Sequence, residues 1–515
     1  MGWTVIISSK SLFKNITFLY LGKIIGGIFN VILFIYLSHI LLKNDFGLLG
    51  IFISISLYVT FLSGLGIAPT YLRYVPEYIK DKRFVAAKNI LILGIFIRIF
   101  AGLFFIGIIY FFLPWFASKN NIPEILNYAY LIGILSILSG VRLIFDCYFS
   151  AIHRQDLVAV ASSISLILRL LSIVGITFFV LMDYDNWLAV IFISFIMSEL
   201  LACMAQIFWF NLWWRKRPAE SDGDGLKYIE YRRLLRFAVS CYPATITGYA
   251  IDGATDIPFL VIICGKEFVP AYFFAFDLAN KFVRALPIEG LITAMTPAIV
   301  QQSVDRDGEA RYFNIYFKIV LIGISLPLII VFSNAATIIE YINKNYVEAA
   351  IFFKLWLIFN SVRVLLQPAK TFLMKFEAMN VLLLSQIVAI IFMLTGYFTL
   401  GYILGPYGIL ISSGISWIIV FLITHIWLAR YFNVSTSVSA LFKMVIITAI
   451  SISAGSIMLW FTGESIGAGI LIIMLQAIIF FLGVRQLKYL DDKEFSVILN
   501  AFPNRLSKNF LLILE

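Results

Sequence analysis

The stretch Lys88–Leu113, KNILILGIFIRIFAGLFFIGIIYFFL, decides what kind of protein this is. After its opening lysine it carries a single charge, Arg98, and its apolar residues run on without interruption. As a helix it rises about 39 Å, enough to cross a hydrocarbon layer of about 30 Å. A helix inside a soluble domain needs a polar face, and an outer-membrane strand alternates apolar with polar residues; this stretch does neither. Moving outward, Gly, Pro and polar residues divide the chain into fourteen such segments, at 14–40, 46–68, 88–113, 124–150, 156–182, 187–212, 237–263, 268–300, 312–333, 348–372, 380–402, 406–430, 442–461 and 466–487. Composition agrees: 61% of 515 residues are hydrophobic and 13% charged, against about 45–50% apolar in ordinary chains, which is material for about 13–15 spans. A soluble enzyme, a disordered chain and a nucleic-acid binder are excluded. The expected fold class is all-α integral membrane, and the first span is expected to act as an uncleaved anchor.

Loop charges set the expected orientation. With the N-terminus in the cytoplasm, 26 lysines and arginines of the connecting segments fall on the cytoplasmic side, and only Lys43, Lys119, Lys266 and Lys344 fall outside. That bias fits the rule that basic loops stay inside. It places both termini in the cytoplasm of a multi-pass plasma membrane protein, in a bacterial inner membrane or an archaeal cell membrane. The +10 net charge is therefore read as topology and membrane-surface charge.

The longest polar connection in the middle of the chain, Arg215 to Arg236, separates six spans from six. Sliding one set on the other gives a nearly constant offset. Gly27 and Gly248, Pro76 and Pro297, and Val141-Arg142 and Val362-Arg363 are 221 apart, Arg98 and Lys318 are 220 apart, and Phe46 and Phe268 are 222 apart. An internal duplication of this kind predicts two pseudo-symmetric six-helix lobes in parallel orientation, with two further helices at the C-terminus. The expected plan is an N-lobe at 1–213, a cytoplasmic linker at 214–236, a C-lobe at 237–431, spans thirteen and fourteen at 432–487, and a cytoplasmic amphipathic tail at 488–515. Paired bundles of this kind describe an alternating-access transporter with its cavity near the bilayer midplane.

Charges inside spans are costly and are expected to face protein or water. Nine basic residues lie there: Lys23, Arg98, Arg142, Arg169, Lys281, Arg284, Lys318, Lys354 and Arg363. The acids are Asp146, Glu199, Asp252, Asp256, Asp277 and Glu289. The excess of basic charge predicts a pocket for an anion, and arginine can grip phosphate oxygens through two nitrogens at once. Arg98, Arg142, Lys281, Arg284, Lys318 and Arg363 are the expected substrate-binding set. Arg169 and Glu199 lie at similar depth on neighbouring spans and are expected to form a structural ion pair. Depth counting from Lys266 pairs Asp252 with Lys281 and Asp256 with Asp277; Asp252, Asp256 and Asp277 are the expected ion-coupling set. Arg142 and Asp146 stand one helical turn apart and can neutralise each other.

Trp115, Trp187, Trp213, Trp214 and Trp460 fall near span ends and read as interfacial anchors. Cys147, Cys203, Cys241 and Cys264 have neither zinc nor disulfide spacing, and three histidines leave little for a metal site. Neither a phosphate-cradling loop nor a nucleophile elbow has a credible context. No enzymatic activity, catalytic residue, cofactor or metal is therefore expected.

The opening carries a resemblance. LSHILLKNDFGLLG (Leu37–Gly50), with its acidic-aromatic-glycine triplet Asp45-Phe46-Gly47, is followed by GLGIAPTYLRYVPEY (Gly64–Tyr78), with Arg73, Pro76 and Glu77. The pair resembles the polysaccharide transporter family, the oligosaccharide flippases of the multidrug/oligosaccharidyl-lipid/polysaccharide exporter superfamily. That resemblance implies a V-shaped pair of six-helix lobes. It also implies movement of a polyprenyl-pyrophosphate-linked oligosaccharide from the cytoplasmic to the outer leaflet. Expected partners are that lipid-linked glycan, membrane lipid and a proton or sodium gradient; the protein is expected to act as a monomer, alongside a polysaccharide polymerase or glycosyltransferases. Three readings stay open beside it: a lipid II flippase of the same superfamily, an ion-coupled drug antiporter, and a non-transporting membrane scaffold.

Overall fold

The computed structural model describes residues 26–152, 154–179, 187–215, 229–251, 253–286, 306–376, 378–434, 437–462, 466–487 and 489. Residues 216–228 of the expected linker, the expected C-terminal amphipathic tail apart from Tyr489, Lys23, Asp252 and Glu289 lie outside the described residues, and the last part of the expected linker opens α9 at Tyr231. In chain order the helices are α1 (Gly26–Ile40), α2 (Lys43–Leu62), α3 (Ile67–Lys80), α4 (Phe84–Lys119), α5 (Glu124–Asn127), α6 (Ala129–Ala151), α7 (Gln155–Phe179), α8 (Trp187–Arg215), α9 (Tyr231–Ala250), α10 (Asp256–Cys264) and α11 (Val269–Ala285). They continue as α12 (Arg306–Ser333), α13 (Ala335–Asn343), α14 (Ala350–Leu365), α15 (Gln367–Lys375), α16 (Met379–Leu404), α17 (Pro406–Phe432), α18 (Val438–Thr462) and α19 (Ile466–Gln486). Strands are absent among the described residues. The fold is all-α and multi-pass: eleven helical stretches among the described residues are long and apolar enough to cross a bilayer. The stretch that opened the reading lies inside α4, which at 36 residues is longer than the hydrocarbon layer is thick.

The other three expected spans show why they fall short of that threshold. The first is described only as α1. The eighth is described only as α11. The seventh is discontinuous: α9 ends at Ala250 and α10 begins at Asp256. Pro258 supplies the reason, because it lacks the N–H that would bond Ala254, and its ring crowds that carbonyl in a continuous helix. The second span also breaks earlier than expected. Leu65 (φ 45°) and Gly66 (φ 70°) turn the chain sharply between α2 and α3.

The described residues form two compact units, one comprising 1–274 with 390–413 and the other 275–389 with 414–515. In the first, an aromatic floor of Tyr71, Tyr74, Tyr78, Tyr148, Phe149 and Phe210 ties α3, α6 and α8 together, with Ile229 and Leu234 closing it. Tyr71 donates to the Ile90 carbonyl at 2.8 Å, so its buried hydroxyl is satisfied. Trp213 is a correction to the sequence reading: it is buried in this floor, whereas Trp115 and Trp460 are exposed as interfacial anchors would be. The turn that brings its indole inward is set by packing against Tyr148 and Phe210. In the second unit α18 and α19 pack on each other and on α12, and Gln476 donates across to Ser333 at 2.6 Å.

Candidate functional site

Polar side chains inside the first unit gather in three places. The first joins α6, α7 and α8 at mid-span. Glu199, 3% exposed, accepts from Arg142 Nη1 through both oxygens, at 2.8 and 2.9 Å. Arg169 reaches the same carboxylate through Nη2 and places Nε 2.9 Å from Ser198 Oγ. Arg142 also meets Ser165 Oγ at 3.2 Å and Asp146 at 3.7 Å, and Asp146 accepts from Gln206 at 2.5 Å. Two guanidiniums and two carboxylates therefore balance in charge within one lattice of hydrogen bonds. Such pairing and hydrogen bonding offset the cost of taking these ions out of water.

The second cluster surrounds Asp256 at the start of α10. Its carboxylate is fully buried and accepts from the hydroxyls of Tyr272, Tyr397 and Ser413, the last at 2.6 Å. Those donors come from α11, α16 and α17, so the break in the seventh span is locked to two later helices. Tyr272, Tyr397 and Ser413 were not singled out in the sequence. Hydroxyls are common in these spans, and only the fold turns these three toward one carboxylate.

The third cluster closes the α2–α3 break. Arg98, 2% exposed, donates through Nη2 to the Thr60 carbonyl, and Tyr242 donates to the Leu62 carbonyl at 2.6 Å. These are last-turn carbonyls of α2, which lack helical partners and carry the negative end of the helix dipole. Gly140 makes the room: a methyl group there would stand 2.6 Å from Arg98 Nε. Arg98 thus serves as a cap, and cargo contact by this residue would require the break to open. Beside it, a cleft of about 60 Å³ between α2 and α9 is lined by Tyr58, Leu62, Ile246 and Thr255, with Phe61 and Tyr249 stacked at an interplanar angle of 11°.

In the second unit, Lys281 pairs with Asp277 one helical turn away. Arg363 Nη2 donates to Asn280 Oδ1 at 3.3 Å, and Lys318 is buried with Nζ 6.0 Å from the Tyr489 ring centre. Arg284 is exposed. The depth pairing of Asp256 with Asp277 is therefore corrected: Asp277 takes Lys281, and Asp256 takes hydroxyls, while the expected pairing of Asp252 with Lys281 involves a residue outside the described ones. The reason is local, since residues four apart on a helix are already neighbours, while depth alone does not say which way a side chain turns. Outside the spans, Arg154 and Asp156 pair at 2.9 Å, and that contact holds the guanidinium above its ordinary pKa.

Comparison with solved structures places the fold. The chain is similar to the lipid II flippase MurJ in an inward closed conformation, at 12% identity and a TM-score of 0.65, covering 90% of this chain and 98% of that one. An outward-facing multidrug resistance MATE family transporter of the MOP superfamily matches at 13% identity and a TM-score of 0.61, covering 82% and 96%. A MOP superfamily transporter from Pyrococcus furiosus, whose binding pocket has reversed polarity, matches at 13% identity and a TM-score of 0.57, covering 81% and 96%. None of the curated proteins matches the sequence significantly. The architecture is thus that of multi-pass membrane transporters, and one comparison made on sequence goes further than fold. A family model covers residues 12–287, which include the first expected span, the charged α6–α7–α8 cluster and Asp256 with Tyr272, and by that match the chain belongs to the polysaccharide biosynthesis protein family.

Proposed function

We propose that this protein is a flippase that carries a polyprenyl-(pyro)phosphate-linked oligosaccharide from the cytoplasmic to the outer leaflet, for assembly of a surface polysaccharide or glycan. The membership of the polysaccharide biosynthesis family carries this reading. The fold likeness to a lipid II flippase supports it, since that protein too handles a lipid-linked cargo. Two lobes, 1–213 and 237–431, work by alternating access, with both termini in the cytoplasm. The basic residues proposed to meet the head group are Arg142 in the first unit and Lys281, Arg284, Lys318 and Arg363 in the second, with Arg98 joining if the α2–α3 break opens. The polyprenyl tail stays in lipid. Such a division removes the cost of drawing sugars and phosphates through about 30 Å of hydrocarbon.

The sign of the pocket charge separates cargo classes in this fold. The Pyrococcus furiosus neighbour has a pocket of reversed polarity that suggests a different function for it. Here the spans hold nine basic against six acidic residues, which favours an anionic cargo over the cations of a drug antiporter. Energy enters through a proton or sodium ion at the acids of the seventh and eighth spans, Asp252, Asp256 and Asp277. Asp256 is proposed first among these, because hydroxyls from three helices converge on its carboxylate.

The test is reconstitution of the full chain into vesicles with polyprenyl-pyrophosphate glycans, measuring leaflet exchange with and without proton and sodium gradients. Exchange of a lipid-linked oligosaccharide, with loss of gradient dependence in Asp256→Asn, is the expected result. Exchange of lipid II alone selects the second reading, which the likeness to MurJ favours. Failure to exchange either lipid removes the flippase assignment.

A further inference from the structure

We infer that Glu199 is a built-in stand-in for the cargo's phosphate: it holds Arg142 and Arg169 as an internal counter-anion, and a phosphate or pyrophosphate group displaces it. The inference rests on the flippase reading for its cargo, and on the α6–α7–α8 cluster for its site. The sequence reading took Arg169 and Glu199 first as a structural ion pair.

The geometry is that of an exchangeable anion. All three residues sit near the middle of their helices, at position 14 of 23 in α6, 15 of 25 in α7 and 13 of 29 in α8. Glu199 lies behind, at 3% exposure, while the side chains of Arg142 and Arg169 are 22% and 19% exposed. Both carboxylate oxygens fall on the one nitrogen Arg142 Nη1, so the two-pronged fork that guanidinium offers to a carboxylate or phosphate is not used. Arg142 Nη2 and Arg169 Nη1 make no hydrogen bond among the described residues, and neither is sealed from the surface. A guanidinium nitrogen facing lipid at this depth would cost several kcal/mol, so the open side is taken to be a polar one.

The cluster also holds the arginines in place without Glu199. Ser165 supports Arg142, Ser198 supports Arg169, and the Phe195 ring lies 4.7 Å from the Arg169 guanidinium carbon. When a phosphate enters, the guanidiniums change anions and are never left unpaired, which avoids the main penalty of a buried charge. When the cargo leaves, Glu199 returns and completes its release. Asp146, 3.7 Å from Arg142, keeps the site from binding anions too tightly.

The experiment uses inorganic pyrophosphate as the probe and the full chain in lipid nanodiscs, with binding read by calorimetry at fixed ionic strength. Glu199→Gln removes the competitor, and the pyrophosphate Kd should fall about tenfold or more, into the measurable range if the parent binds too weakly to detect. Arg142→Gln should raise the Kd of the Glu199→Gln background at least tenfold. A folded Glu199→Gln protein that binds pyrophosphate no better than its parent overturns the proposal, and so does an Arg142→Gln change without effect. Should Glu199→Gln fail to fold, Asp146→Asn decides: it removes the second competing charge, tighter binding supports the proposal, and unchanged binding overturns it. Flipping of lipid-linked glycan with no change in pyrophosphate affinity leaves the function standing and removes this site. The reverse pattern keeps the site and removes the cargo.

Discussion

At the scale of single residues, what a buried charge does depends on what it meets. Arg98 and Arg142 look alike in sequence, each a lone arginine in an apolar span. Arg142 meets two carboxylates and keeps an accessible face. Arg98 meets the carbonyl end of α2 and is sealed, with Nε lacking any hydrogen-bond partner among the described residues. Replacing Arg98 by Met keeps much of its volume and removes the cap. It should cost about 1–3 kcal/mol, the usual cost of leaving a buried polar group unpaired. The expected readout is a lowered Tm of the purified protein with pyrophosphate affinity unchanged. A loss of affinity at unaltered Tm would move Arg98 from cap to cargo contact. Depth counting could bring Arg169 level with Glu199, but could not reveal that Arg142 shares the same carboxylate, because that depends on how three helices are rotated about their axes.

At the scale of elements, the breaks in spans two and seven matter most. Both carry residues that discourage a continuous helix, Gly64 and Gly66 in one and Gly253 and Pro258 in the other. The sequence reading ran through both, since their apolar character does not change at the break. Gly66 is where glycine is required: its φ is +70°, and a methyl group there would collide with the Ala238 carbonyl of α9. Gly66→Ala should therefore destabilise the protein by at least about 1 kcal/mol, from left-handed backbone strain alone, with the collision added to it. Thermal unfolding of the variant in detergent checks this, and Gly107→Ala, where nothing stands within 4 Å, is the control expected to change little.

At the scale of the whole molecule, orientation is the property that loop charges predict. In a background with Cys147, Cys203, Cys241 and Cys264 changed to serine, single cysteines replacing the exposed Lys119 and Lys344 should react with an impermeant thiol reagent added to intact cells. Cysteines replacing the exposed Lys82 and Arg430 should react only after the membrane is opened. The reverse pattern would invert the proposed direction of transport.

The sequence by itself determined that this chain is an all-helical membrane protein, where most of its spans lie, and which sign of charge prevails inside them. Those properties follow from local composition, because the bilayer demands long apolar helices and penalises each charge placed in them. Only the tertiary structure decided which charge meets which partner. Asp277 takes Lys281, Asp256 takes three hydroxyls, Arg98 takes a helix end, and Glu199 is shared by two arginines. A partner is chosen by helix rotation and packing, and neither property is encoded in the spacing of residues along one strand of sequence.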